Sequence, residues 1–522
     1  MAPERRWNIA SIVTRSPLPW HVYRRVSTSS EEGQGPTSTT LQGRYRDSSR
    51  DRRRFFGGVG VTILALSVFG LLFSRPTNSL ERAKDAAAPG STGPAPAAGS
   101  YEAELTPVSS VPLSPQQELD PFDSSNYLVG PPSASFRDAL HPNHKYITSW
   151  ISAGWTNDVM TYINLIYLGI ITDRIPILPM FTPSHIGSTV PPISFGEVFD
   201  VSRLRKLLQR PMVEWSEVKL NTSNVETTDA HIDTLGCWNT WEAVQFNEHF
   251  ARRSTTPSLL SLDISYTTAP NWIKLIPNFR HDHHSTFWSL AVLAFPEGRQ
   301  DNLIEPRESP INHVKLPPDE HLLCYDYLYY TCAQQPYEFN FDYSPAWRFA
   351  GRHLHWTPRL DALVDQYVRR TIGAVDGEAT PDWIAIHIRH GDFADWCGEV
   401  PVEDCFAPLS VIARRVQEVK EEILDRLGVV VEHVILTSDE RNRTWWDGVR
   451  SQGWFQVDHS NTVQLYGAWY PVLIDAAIQS GGLGFVGTDR STMSILARRR
   501  VQSWRNGATR MIKWGRLNAD DH

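Results

Sequence analysis

The residues His387-Ile388-Arg389-His390-Gly391-Asp392 stand at the end of the apolar run Trp383-Ile384-Ala385-Ile386. An apolar run closed by Gly-Asp reads as a short buried strand ending in a turn. Side chains alternate along a strand, so His387 and Arg389 should point the same way. Ligands of open α/β sheets bind beyond the carboxyl ends of the strands. This strand end therefore brings a cation and an imidazole to a ligand's position. The planar guanidinium of Arg389 matches phosphate oxygens bidentately. His387 suits a hydrogen bond to a nucleoside or phosphate. The plainer alternatives are an Arg389–Asp392 ion pair and a structural histidine.

Three further motifs fit the same chemistry. In Gly487-Thr488-Asp489-Arg490-Ser491-Thr492-Met493-Ser494, a strand ends in glycine and hydroxyl residues open a helix. Helix starts bind anions through free N–H groups, so Ser491 and Thr492 are candidates for a phosphate, against an ordinary N-cap. Asp439 ends the strand Val434-Ile435-Leu436-Thr437, a place where an acid meets a ribose or base. Gly154-Trp155-Thr156-Asn157-Asp158 forms a strand-to-helix turn in which Asp158 is the one carboxylate, hence a candidate general base. Asn157 is there a cap or a contact to a ligand. No Asp-x-Asp pair occurs, so a fixed cation, best Arg389, must carry the charge of a leaving diphosphate. His281-Asp282-His283-His284 lacks metal-ligand spacing, and no metal site is expected.

The elements that must position these residues follow from periodicity. Tyr146-Ile147-Thr148-Ser149-Trp150-Ile151 predicts a strand, 157–171 a helix and 174–179 a second strand. After an irregular stretch at 185–345, strands are expected at 383–388, 434–437, near Phe455 and at 483–487. Helices are expected near 408–427, 445–452 and 463–479 and from Ser491. Strands alternating with helices imply α/β architecture with parallel sheets, and two such domains facing each other leave a crevice.

The 522 residues exceed one core, and a net charge of −8 excludes a basic nucleic-acid footprint. Residues 55–74 run without a charge for the length of a membrane-crossing helix. Arg44, Arg46, Arg50, Arg52, Arg53 and Arg54 precede it and orient residues 1–54, a disordered tail, to the cytosol. Residues 75–140, rich in proline, alanine and glycine, read as a stem. The expectation is a single-pass type II protein of the Golgi membrane, or alternatively of the endoplasmic reticulum, with domains at 141–370 and 371–522. All five cysteines (Cys237, Cys324, Cys332, Cys397, Cys405) then lie in the lumen, where disulfides persist. Cys397 with Cys405 and Cys324 with Cys332 have the same spacing, and an odd thiol remains. Asn221 and Asn442 head glycosylation sequons.

Together HIRHGDF (387–393), ILTSDE (435–440) and FVGTDRSTMS (485–494) resemble the GDP-fucose protein O-fucosyltransferase superfamily, and Trp150–Pro179 resembles its N-terminal Gly-x-x-Asn turn. The resemblance implies a GT-B-like fold of two Rossmann-type domains. It implies metal-independent, inverting transfer of fucose from GDP-fucose to a protein or glycan hydroxyl. By carry-over Arg389 holds the β-phosphate and glycosidic oxygen, and His387 and Asp439 contact the nucleotide. Ser491 and Thr492 bind phosphate, while Asn157, in the Gly154 turn, approaches the sugar. Some members place a glutamate before this turn as base; here Ser152-Ala153 stands instead, so the reaction leans on leaving-group stabilisation or takes Asp158 as the substitute. The alternatives are another nucleotide-deoxysugar on the same fold, or a catalytically silent glycan- or nucleotide-binding membrane protein.

Overall fold

The computed structural model describes residues 120–187, 189–220 and 231–521. The tail, the expected membrane helix at 55–74, the stem up to residue 119 and Asn221 lie outside the described residues. Among the described residues no helix is long and apolar enough to cross a membrane.

Thirteen strands are described: β1 (Tyr146–Ser149), β2 (Ile175–Leu178), β3 (Val213–Glu214), β4 (Asp233–Asn239), β5 (Leu262–Thr268), β6 (Ser285–Thr286), β7 (Leu322–Tyr325), β8 (Thr331–Cys332), β9 (Trp383–Ile388), β10 (His433–Ser438), β11 (Phe455–Gln456), β12 (Gly484–Thr488) and β13 (Ala508–Ile512). They form a six-stranded sheet in the order β3-β2-β1-β7-β4-β5 and a five-stranded sheet in the order β11-β10-β9-β12-β13, with β6 and β8 as a small pair. Every pairing in the two large sheets is parallel. In the second sheet the chain runs from β9 outward through β10 to β11, then crosses to β12 on the other side of β9. This reversal opens a crevice at the carboxyl ends of β9 and β12.

Alternation along β9 sorts its residues between two cores. Ile384, Ile386 and Ile388 pack with Ile412, Val416, Val419 and Ile423, the apolar stripe of the helix Leu409–Leu427. Ala385 faces Phe485, Ala497 and Val501 instead, on the side of the helix Thr492–Arg505. A larger core joins the sheets: Ile147, Leu178 and Leu323 of the first share it with Ile435 of the second and with Ile474 and Leu496.

Three sequence expectations are corrected. The stem does not reach residue 140: Phe136, Ala139 and Leu140 are buried against the first sheet, where Phe136 meets Trp215 edge-on at 5.9 Å. The Asp233 carboxylate accepts from the Phe136 N–H and the Ser135 hydroxyl, and an ion pair with buried Lys219 holds it there. The helix Pro358–Ile372 packs on β10, β11 and the helix Tyr470–Gly481, so the second half begins before residue 371. The single helix expected over 463–479 is two, Thr462–Tyr466 and Tyr470–Gly481, because the chain turns at Gly467.

Candidate active site

The carboxyl end of β9 carries Arg389 into the gap beside β10. Its guanidinium pairs with Asp439 Oδ2 at 2.6 Å and with Asp392 Oδ1 at 2.7 Å. The Arg389 side chain is 33% exposed, so it faces solvent while two carboxylates fix its plane. A guanidinium has more N–H donors than these two contacts use, and donors remain for a phosphate. Asp439 Oδ1 accepts from the His390 N–H at 2.8 Å. Both oxygens of Asp439 thus have partners in the chain, and its place is that of a residue orienting Arg389. Each carboxylate oxygen accepts more than one hydrogen bond, so Asp439 keeps acceptor capacity toward the crevice. A Cβ on Gly391 would lie 2.2 Å from Asp439 Oδ2, so only glycine lets this carboxylate approach.

His387 is buried, with Nδ1 2.7 Å from the Ser494 hydroxyl. Burial, and then the neighbouring Arg389 charge, lower its pKa to about 3. The imidazole is therefore neutral and acts as a hydrogen-bonding group, not a second cation. Ser494 Oγ also accepts from the Thr488 N–H, and Thr488 Oγ1 accepts from the Arg389 N–H at 2.9 Å. Thr488 escaped the sequence reading; the available signal was a hydroxyl closing a buried strand just after glycine. Gly487 permits this packing, since a Cβ there would stand 2.7 Å from that of Ser494.

Ser491 caps the helix Thr492–Arg505, its hydroxyl accepting from the Ser494 N–H. The Thr492 hydroxyl lies 2.7 Å from that of Thr156. Thr156 belongs to the first turn of the helix Trp155–Thr172, capped by Gly154. Two helix starts from opposite halves therefore meet at the crevice, each with the positive end of its dipole toward it. Asn157, in the same turn, keeps a buried Oδ1 without a partner. Gly154, Asn157, Thr492 and Ser491 are thus brought together, while Arg389 joins them through Thr488.

Asp158 is not. It is fully buried, and Oδ1 accepts from the Ala153 N–H, so it holds the turn from beneath. The helix begins at Trp155, two residues earlier than expected, which turns Asp158 inward. Burial raises its pKa well above the usual carboxylate range. The general-base expectation for Asp158 is therefore corrected to a structural role. Asp158→Asn should keep any reaction catalysed at this site within about tenfold of wild type, against the 10²–10⁴ loss of a general base. Because the folded-state pKa is raised, native Asp158 loses stability as pH climbs from the unfolded value toward the folded one. The variant should lack that loss, and thermal melts across pH check it.

Asn442 is exposed and caps the helix Arg443–Ser451, its Oδ1 accepting from the Thr444 N–H. Disulfides join Cys237 to Cys324 and Cys397 to Cys405, and Cys332 is a buried thiol, so the Cys324–Cys332 pairing is corrected.

No protein-family model matches the sequence, and no curated protein matches it. Solved structures are. POFUT1 in complex with GDP-fucose is 15% identical over 72% of this chain and 99% of its own, with a TM-score of 0.43. A FUT1 mutant of Arabidopsis thaliana in complex with GDP is 12% identical over 71% of this chain and 70% of its own, with a TM-score of 0.31. The fucosyltransferase NodZ from Bradyrhizobium is 11% identical over 68% of this chain and 92% of its own, with a TM-score of 0.33.

Proposed function

We propose that the chain is a glycosyltransferase that moves fucose from GDP-fucose, with inversion and without a metal, to a protein or glycan hydroxyl. The observation that carries this reading is Arg389, held between Asp392 and Asp439 in a crevice to which two helix starts point. The acceptor oxygen attacks the anomeric carbon and its proton passes to solvent. The bond from that carbon to the phosphate oxygen breaks, and the electron pair leaves with GDP. The charge that develops on the departing oxygen falls beside Arg389 and the Ser491–Thr492 helix start. Such fixed donors cost no reorganisation during the reaction. The catalytically silent alternative draws on one observation, the burial of Asp158, which leaves the turn without an accessible acid.

The same reading includes a single-pass type II anchor at residues 55–74 and a Golgi lumenal address. Two disulfides fit an oxidising lumen.

The full-length chain should bind GDP by calorimetry in EDTA. Absence of binding there would remove the metal-free donor site. A panel of nucleotide sugars then reads the donor, with GDP-fucose expected to be consumed fastest.

A further inference from the structure

A pocket of about 380 Å³ lies away from Arg389, at the carboxyl ends of β4 and β5. Glu242, just past β4, and Thr268, the last residue of β5, form one side; Asn271, Lys274 and Asn278 form another. Its volume is within the range of small-ligand sites. Glu242 is fixed before any ligand arrives. Its Oε2 accepts from Asn239 at 2.7 Å and from Thr268 at 2.9 Å, and its Oε1 pairs with Arg307 at 2.7 Å. Lys274 is 5% exposed; its ammonium donates to the carbonyls of Phe279 and Arg280, both at 3.4 Å, and the nearby Asp282 carboxylate attracts it. An ammonium has three donors, and two long hydrogen bonds leave one for an oxygen ligand. The pocket mixes Lys274 and Arg280 with the carboxylates of Glu242 and Glu248 and with two amides. That mixed set suits hydroxyls, which donate to carboxylates and accept from the cations and amides.

The pocket is tied to the crevice by the chain itself. His249 lines it. A few residues on, the Arg252 guanidinium donates to the Ser152 carbonyl at 2.9 Å, and Ser254 Oγ donates to the Ile151 carbonyl at 2.6 Å. Ser152 belongs to the Gly154 turn. Four residues of extended chain reach at most about 14 Å, so one oligosaccharide could touch both the pocket wall and that turn.

We infer that this pocket is an acceptor subsite for a pyranose residue of a glycan, so that the hydroxyl receiving the transferred sugar belongs to an oligosaccharide and not to a bare serine or threonine. The inference rests on the transferase reading above and narrows its acceptor.

Saturation-transfer NMR on the full-length chain in lipid nanodiscs tests it. The probes are the methyl glycosides of mannose, galactose and N-acetylglucosamine, each with and without GDP. At least one should bind, and its affinity should fall about tenfold or more in Lys274→Met and in Glu242→Gln, as for loss of a charged hydrogen bond. Arg389→Ala should keep the signal. Binding of none of the probes, or binding unchanged in both pocket variants, overturns the inference. Unaltered GDP affinity in the pocket variants shows that they fold. Failure of the wild type to bind GDP counts against the donor site alone, because the glycoside signal is also read without nucleotide.

Discussion

Replacing Arg389 with alanine should lower transfer by about 10²–10³-fold, the usual cost of removing one donor from a developing oxyanion. The alanine also leaves Asp392 and Asp439 facing the crevice without their shared cation. Those carboxylates then repel the diphosphate, so GDP affinity falls as well. Lysine should not restore activity, because a point charge replaces a planar fork. Stability should change little. Arg389 is one-third exposed, and exposed ion pairs contribute about 0–1 kcal/mol. Initial rates, GDP calorimetry and a thermal melt on one preparation separate these effects. Transfer within a few-fold of wild type in a variant that still binds GDP would refute the assignment. Asp439→Asn leaves one carbonyl oxygen where two carboxylate oxygens served Arg389 and the His390 N–H, but it keeps the guanidinium itself, so its loss should be smaller than that of Arg389→Ala.

The second sheet was legible because its signals are local. β9 spans Trp383–Ile388, as its apolar run predicts, and the helix Leu409–Leu427 follows its apolar stripe. The HIRHGD segment sits at a carboxyl end beside the crossover, as strand alternation and parallel topology require. The first sheet hides its pattern. β3 has two residues, β7 enters last in sequence between β1 and β4, and much of 185–345 is loop that carries no period. Partners were the other blind spot. Local spacing names Asp392 for Arg389, but Asp439 arrives from the neighbouring strand, and Thr488 from the strand on the other side. Asp158 misled for a related reason. A carboxylate near a helix start looks exposed in sequence, and only the register of the first turn decides which way it faces.

Cysteine pairing shows the same contrast between spacing and topology, and it makes the second large prediction. Cys237–Cys324 closes 87 residues and joins adjacent strands β4 and β7 inside the core, where both cysteines are fully buried. Chain-entropy arguments assign a loop of that length about 4–5 kcal/mol, and the separation of 8 between Cys397 and Cys405 about 2–3 kcal/mol. The double variant Cys237→Ala/Cys324→Ala should therefore unfold at much lower guanidinium than wild type, with transfer by the surviving folded fraction retained. Cys397→Ala/Cys405→Ala should lose less stability but more activity. That bridge closes the loop after Asp392, in a cluster with Phe393 and Trp514, and so steadies the partner of Arg389. Titrating thiols in the denatured, unreduced chain should find one of the five cysteines, Cys332. Three free thiols would mean that one bridge is absent. Equal unfolding midpoints for the two double variants would show that loop length does not govern the stability each bridge supplies.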